Sequence, residues 1–223
     1  MKSLDLKLHT EDEIEVAGIY IPGSLPFGVV LLHMMPSTKE SYQKFSEQLA
    51  LEGFHTLAID FRGHGESSGG NWEEFPDEEH QKYIRELHAA VDYLKKQNPE
   101  MKIGIVGASI GGNIGVQYGT EHPLSFLVLL SAGINYRGVN AGEMVGNLPE
   151  SLPVYFASAM DDQRVSGNST QTETLYNACS SKMKSIQIFK EGGHGTDILE
   201  NNQEFAQSLV QWIKETATKD AGV

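Results

Sequence analysis

The chain has 223 residues, 39% of them hydrophobic, a formal net charge of −13 and a single cysteine, Cys179. A chain of this length buries roughly 70% of its unfolded surface, so packing alone can stabilise one domain spanning residues 1–223 without a disulfide or metal staple. The acidic balance excludes a phosphate-backbone-binding surface, the lone cysteine excludes an internal disulfide or Cys-rich metal site, and the lack of a long apolar run predicts no membrane contact and a cytoplasmic setting.

The first elements read as an antiparallel hairpin. Leu4, Leu6 and Leu8 alternate with polar residues, a turn falls around Thr10 to Asp12, and Ile14 and Val16 resume the alternation. Beyond it come short runs that are apolar on both faces: Val29 to His33, Phe54 to Phe61, Ile103 to Gly107, Phe126 to Ala132, Val154 to Met160 and Ile186 to Phe189. Between them lie segments of helical length and composition: Ser41 to Glu52, Glu79 to Gln97, Ile110 to Glu121, Ser169 to Ser180 and Glu200 to Thr216. Alternating strand and helix predict a doubly wound, mostly parallel sheet covered on both faces. Ligands of such sheets sit beyond the carboxyl ends of the strands, so chemistry is sought just after each run.

The run Lys102 to Val106 feeds Gly107-Ala108-Ser109-Ile110-Gly111-Gly112 and then a helix. A nucleophile on so sharp a strand-to-helix turn has strained backbone angles, and the residues two before and two after it must lack bulk. The N–H of Ile110, at the head of the helix, is free to donate to an oxyanion. A second G-x-S-x-G match, Gly65 to Gly69, has no strand feeding it and no helix after it, and reads as a loop. The proton acceptor for Ser109 should be a histidine further along the chain. Of the two downstream, His122 ends the helix as a solvated or capping residue, while His194 lies in the loop Glu191-Gly192-Gly193-His194-Gly195 just after the last strand. His64, between two glycines but upstream of the serine, reads as loop structure. The carboxylate orienting His194 should follow a strand between the two, and Val154 to Met160 ends in Asp161-Asp162; Asp162 is favoured, with Asp161 a surface or turn carboxylate.

Together the elbow Gly107 to Gly112, the run Asp60-Phe61-Arg62-Gly63-His64-Gly65-Glu66-Ser67, Asp162-Gln163-Arg164-Val165 and Gly193-His194-Gly195 resemble the α/β-hydrolase superfamily, and within it the small lidless serine esterases and dienelactone-hydrolase-like members. The resemblance covers nearly the whole chain. It implies an eight-stranded sheet with minimal or no cap, with Ser109 as nucleophile, Asp162 as acid and His194 as base. Dienelactone hydrolases carry a cysteine where this chain has Ser109, which favours ester chemistry. The family's oxyanion loop usually reads His-Gly, whereas His33 is followed here by Met34-Met35-Pro36. By resemblance the second oxyanion donor is the N–H of Met35, with Met34 and Met35 lining the acyl pocket; the alternative is that both simply pack as flexible apolar fillers.

Other conspicuous residues have plainer readings. Asp60 and Arg62 organise the loop after their strand, and Asp197 with Glu200 resembles a helix cap and its reciprocal carboxylate. Trp72 and Phe75 cover the sheet edge or line the pocket mouth, and the acidic stretch Asp77 to Glu86 is a solvated face. Only about twenty residues separate Gly133 from Leu152, which predicts an open pocket suited to small or short-chain esters. The expected activity is that of a serine hydrolase on small ester substrates, needing no cofactor and no metal. Peptidase or acyl-peptide activity by the same residues is the enzymatic rival, and a non-catalytic binding protein of the same fold is the other.

Overall fold

The computed structural model describes residues 2–219. Eight strands, β1 (Leu4–His9), β2 (Glu15–Ile21), β3 (Phe27–Leu32), β4 (His55–Ile59), β5 (Lys102–Ala108), β6 (Phe126–Leu130), β7 (Val154–Ala159) and β8 (Lys184–Phe189), form one sheet in the order β1-β2-β4-β3-β5-β6-β7-β8. β2 pairs antiparallel with both β1 and β4, and every other pairing is parallel. This is the α/β-hydrolase architecture with its antiparallel hairpin at one edge.

The helices are α1 (Gln43–Leu51), α2 (Asp77–His80), α3 (Ile84–Gln97), α4 (Ile110–Glu121), α5 (Ala141–Met144), α6 (Asn168–Ala178), α7 (Asp197–Asn201) and α8 (Gln203–Lys219). Strict alternation along β3 explains how they divide between the two faces. Val30 and Leu32 join a core with Leu87 and Leu94 of α3, Ile114 of α4 and Leu175 of α6. Val29 and Leu31 point the other way, to Phe45 and Leu49 of α1 and to Phe205, Leu209 and Ile213 of α8. A strand packed on both faces must be apolar throughout, which is why these runs carried so clear a signal.

The structure redraws some sequence-based bounds. The segment expected as one helix from Glu200 is two, α7 and α8, parted at Asn202, whose backbone leaves the helical region. Asp197 and Glu200 do not form a cap: Thr196 occupies the N-cap position in a helical conformation with no side-chain bond, and Asp197 is already within the helix. β8 is half-buried, as an edge strand, rather than buried on both faces. The acidic stretch Asp77 to Glu86 is not simply a solvated face. Glu86 is fully buried and accepts from Arg62 Nε at 2.5 Å, while Glu79 accepts from Arg62 Nη1 at 2.8 Å. Between β6 and β7 there is only a short excursion, containing α5 and one 3-10 turn, so no separate cap is built there.

Candidate active site

Ser109 lies between β5 and α4 with φ 54° and ψ −121°, a left-handed backbone that an L residue adopts only under strain. The turn is tight enough that glycine is required on both sides. A Cβ on Gly107 would lie 2.3 Å from the Gly111 carbonyl oxygen, and one on Gly111 would lie 2.5 Å from that of Leu32. The N–H of Ser109 donates to the Leu130 carbonyl at 2.8 Å, fixing the elbow to the end of β6.

Asp162 follows β7 and His194 follows β8, and the two meet: His194 Nδ1 donates to Asp162 Oδ2 at 2.5 Å, with both side chains buried. The other carboxylate oxygen accepts from the N–H groups of Arg164 and Val165 at 2.9 and 3.0 Å. Burial pushes the Asp162 carboxyl up, but the bond from His194 and these two N–H groups outweigh it and hold it below the usual carboxylate range. The bond to Asp162 places a His194 ring proton on Nδ1 and leaves Nε2 as the nitrogen turned away from the carboxylate. Asp161 has a distinct task. It is exposed, as expected of a surface or turn carboxylate, and its Oδ1 accepts from the N–H groups of Gly192 and Gly193 at 2.9 and 3.0 Å, so it also anchors the loop that carries His194.

That loop is pressed onto the elbow. A Cβ on Gly195 would lie 3.2 Å from the Ala108 Cβ and 2.6 Å from the Met34 sulphur, and the Gly195 N–H donates to Ser131 Oγ at 2.9 Å. His194 and Ser109 are thus brought to the same strand ends. Tyr136, a residue the sequence reading missed, reaches the same place: its O–H donates to the Ser131 carbonyl, the next after the Leu130 carbonyl that accepts the Ser109 N–H, which sets its phenol within reach of the Ser109 hydroxyl. His122 is remote from this group: it follows the end of α4 and stacks on Tyr118 at 4.4 Å.

The loop after β3 explains how a His-Met-Met run can replace His-Gly. Phe61 N–H donates to His33 Nε2 at 3.1 Å, which leaves the ring proton on Nδ1 to donate to the Met34 carbonyl at 2.9 Å. Ser37 N–H donates to that same carbonyl at 2.8 Å. In a trans peptide the C=O and the following N–H point in opposite directions, so a carbonyl turned into its own loop turns the Met35 N–H out of it. No glycine is needed for that orientation. Ile110 begins α4, where the N–H groups lack helical acceptors. Met34 is buried and Met35 half-buried.

Asp60 locks this loop to the next one. It accepts from Lys39 N–H at 2.7 Å, from Lys39 Nζ at 2.8 Å and from Glu66 N–H at 3.0 Å. His64 is buried, stacked on Trp72 at 4.9 Å and bonded to the Tyr83 phenol at 3.1 Å, while Phe75 packs against Gly63 and His80. Trp72 and Phe75 therefore cover this loop rather than the sheet edge. Among the described residues no group of three or more His, Cys, Asp or Glu side chains could hold a metal ion, and no helix is long and apolar enough to cross a membrane.

Comparison with known proteins agrees with the architecture. The model of the family described as serine aminopeptidase, S33, matches residues 27–145, a span that contains the Met35 loop and the Ser109 elbow and ends before Asp162 and His194. A monoacylglycerol lipase of Mycolicibacterium smegmatis is 27% identical over 148 residues, 62% of this chain and 52% of that protein, so the match spans about half the length of the relative. Among solved structures, the Pyrococcus furiosus esterase Pf2001 superposes with a TM-score of 0.80 at 20% identity, over 96% of this chain and 91% of that one. An esterase from Exiguobacterium antarcticum gives 0.76 at 15% identity, over 95% and 100%.

Proposed function

The chain belongs to the serine aminopeptidase S33 family of α/β-hydrolases, and from that premise we propose that it is a single-domain serine esterase acting on small or short-chain carboxylic esters. The buried Asp162–His194 pair, delivered to the strand ends that carry the strained Ser109, is the observation that bears most weight. The lipase and esterases to which the chain is similar favour ester substrates.

Ser109 Oγ attacks the ester carbonyl while its proton passes to His194 Nε2, and the ionised Asp162 stabilises the imidazolium that forms. The carbonyl oxygen, now negative, is met by the N–H groups of Met35 and Ile110. His194 returns its proton to the departing alcohol; it then takes one from water, which attacks the acyl group and frees Ser109. Met34 and Met35 contribute the apolar wall on the acyl side. The short excursion between β6 and β7 leaves the crevice uncapped, which suits small substrates better than long chains needing a tunnel.

The test is hydrolysis of p-nitrophenyl acetate, butyrate and octanoate by wild type and Ser109→Ala, beside an aminoacyl p-nitroanilide. Turnover of acetate and butyrate above octanoate, lost in the variant, is the expected result. No turnover by folded wild type, or equal turnover by the variant, overturns it. The family description supplies a second reading, cleavage of N-terminal amino acids, and anilide hydrolysis exceeding ester hydrolysis would select it.

A further inference from the structure

Tyr136 comes from the segment after β6 that carries no motif, yet its phenol is built into the site. The ring lies directly on Gly133, where a Cβ would come within 2.5 Å of the Tyr136 Cζ. Its oxygen accepts from Asn168 Nδ2 at 3.0 Å, and its O–H donates to the Ser131 carbonyl at 3.3 Å. Asn168 is itself buried and also donates to the Ser131 carbonyl, at 3.2 Å. The segment is clamped from the other side by Asn113, one turn beyond Ser109 on α4, whose Nδ2 donates to the carbonyls of Gly133 and Val139 at 2.9 and 2.8 Å. Its Oδ1 accepts the Gly133 N–H at 3.2 Å.

The backbone here is held against its preferences. Ser131 has φ 53° and Arg137 φ 52°, both left-handed. Strain of that kind persists only where surrounding contacts over-determine it, and it gathers at working sites. At Ser131 it turns the carbonyl to Tyr136 and Asn168 while the side chain receives the Gly195 N–H. One strained residue thus supports both the phenol beside Ser109 and the loop carrying His194.

Resting on the reading of Ser109 as nucleophile, we infer that Tyr136 is a further catalytic residue, whose phenol orients the Ser109 hydroxyl and then donates to Oγ as that oxygen becomes negative. With its O–H on the Ser131 carbonyl and one lone pair taken by Asn168, the phenol can accept the Ser109 O–H in the resting site. As substrate enters, the Ser109 O–H turns from the phenol to His194 Nε2, and when that proton is transferred the phenol O–H turns from the Ser131 carbonyl to Oγ. The Tyr136 proton is never transferred; it only changes acceptor. Burial pushes the phenol up to about 12, which keeps that proton in place throughout the working pH range.

The experiment compares wild type, Tyr136→Phe, Asn168→Ala and Ser109→Ala, reading the second-order rate of fluorophosphonate inactivation together with kcat and KM on p-nitrophenyl butyrate. Tyr136→Phe keeps the ring on Gly133 and removes only the hydroxyl. It should still label to one adduct, with inactivation rate and kcat reduced about 10- to 100-fold, the value of one hydrogen bond to a developing charge, and KM within about twofold. Asn168→Ala loosens the phenol without removing it and should fall about three- to tenfold in kcat, again with KM held. Tyr136→Phe within about threefold of wild type in both rates overturns the inference and leaves Tyr136 a packing residue. Should Tyr136→Phe not fold, Asn168→Ala decides: a lowered kcat supports the inference, and an unchanged one overturns it. Labelling of Ser109→Ala at the wild-type rate would instead remove the nucleophile assignment itself, a failure distinct from a silent Tyr136→Phe.

Discussion

The two banks of the crevice are built from different chemistry. On the β3–β4 bank the loops are locked by buried charges: Lys39 with Asp60, and Arg62 with Asp12, Glu79 and Glu86. On the β6–β8 bank the loops are held mainly by neutral hydrogen bonds and left-handed backbone, through Ser131, Tyr136, Asn168 and Gly195, with the Asp161 carboxylate bonded to backbone N–H groups rather than to a buried cation. The only buried carboxylate described on this second bank is the one bonded to His194, Asp162. The division places the buried ion pairs in a scaffold on one side and leaves Asp162 as the buried carboxylate bonded to His194, an arrangement that fixes one tautomer of that ring.

The largest break in this contrast is expected from Asp162→Asn. It should lower kcat by about three to four orders of magnitude in steady-state ester hydrolysis while leaving the fold intact by circular dichroism. On the opposite bank, Asp60→Ala should act on stability. The buried Lys39 ammonium then keeps only Glu40 and Glu66, both exposed, and the N–H groups of Lys39 and Glu66 lose their acceptor, so the expected cost is about 3 to 5 kcal/mol, read from urea denaturation. The Tyr136→Phe effect on kcat falls below both, and would show that the neutral bank also contributes to rate.

A smaller effect distinguishes the banks by pH. Burial holds His33 down to about 4 and His64 to about 3, both on the charge-locked bank. Both rings are neutral when folded but protonate near 6.5 when the chain unfolds, so the unfolded state binds more protons and stability falls as pH drops from about 6.5 toward 4. Each buried ring contributes at most about 1.4 kcal/mol per pH unit in that window. His64→Gln should make the fall shallower, measured as urea midpoints at pH 7 and pH 5; an unchanged slope would remove His64 from the explanation. The smallest change is expected from Asp161→Asn, which keeps an oxygen for the Gly192 and Gly193 N–H groups and should stay within about twofold of wild-type kcat.

How much of this was legible in the sequence follows the range of the interactions. The strands were readable because alternation along β3 sends neighbouring residues to two cores, and the elbow because steric exclusion at Gly107 and Gly111 acts within a few residues. The pairing of Asp162 with His194 was reachable from chain order. Tyr136 and Asn168 were not: they are 32 residues apart, and a tyrosine in a polar loop has no local signature of contact with a serine on another strand end. The acidic face of α2 and α3 misled for the same reason. Glu86 looks like a solvated carboxylate until Arg62, 24 residues earlier, is folded onto it. The loop after β3 was legible in position but not in mechanism, because the bond from His33 that turns the Met34 carbonyl is a tertiary detail that depends on Phe61.

The most direct test is intact-mass measurement after fluorophosphonate treatment of wild type, Ser109→Ala and Asp162→Asn. One adduct per chain on wild type, none on Ser109→Ala, and slow but eventually complete labelling of Asp162→Asn is the expected pattern. An adduct on Ser109→Ala, or none on folded wild type, would contradict the assignment of Ser109 as the nucleophile.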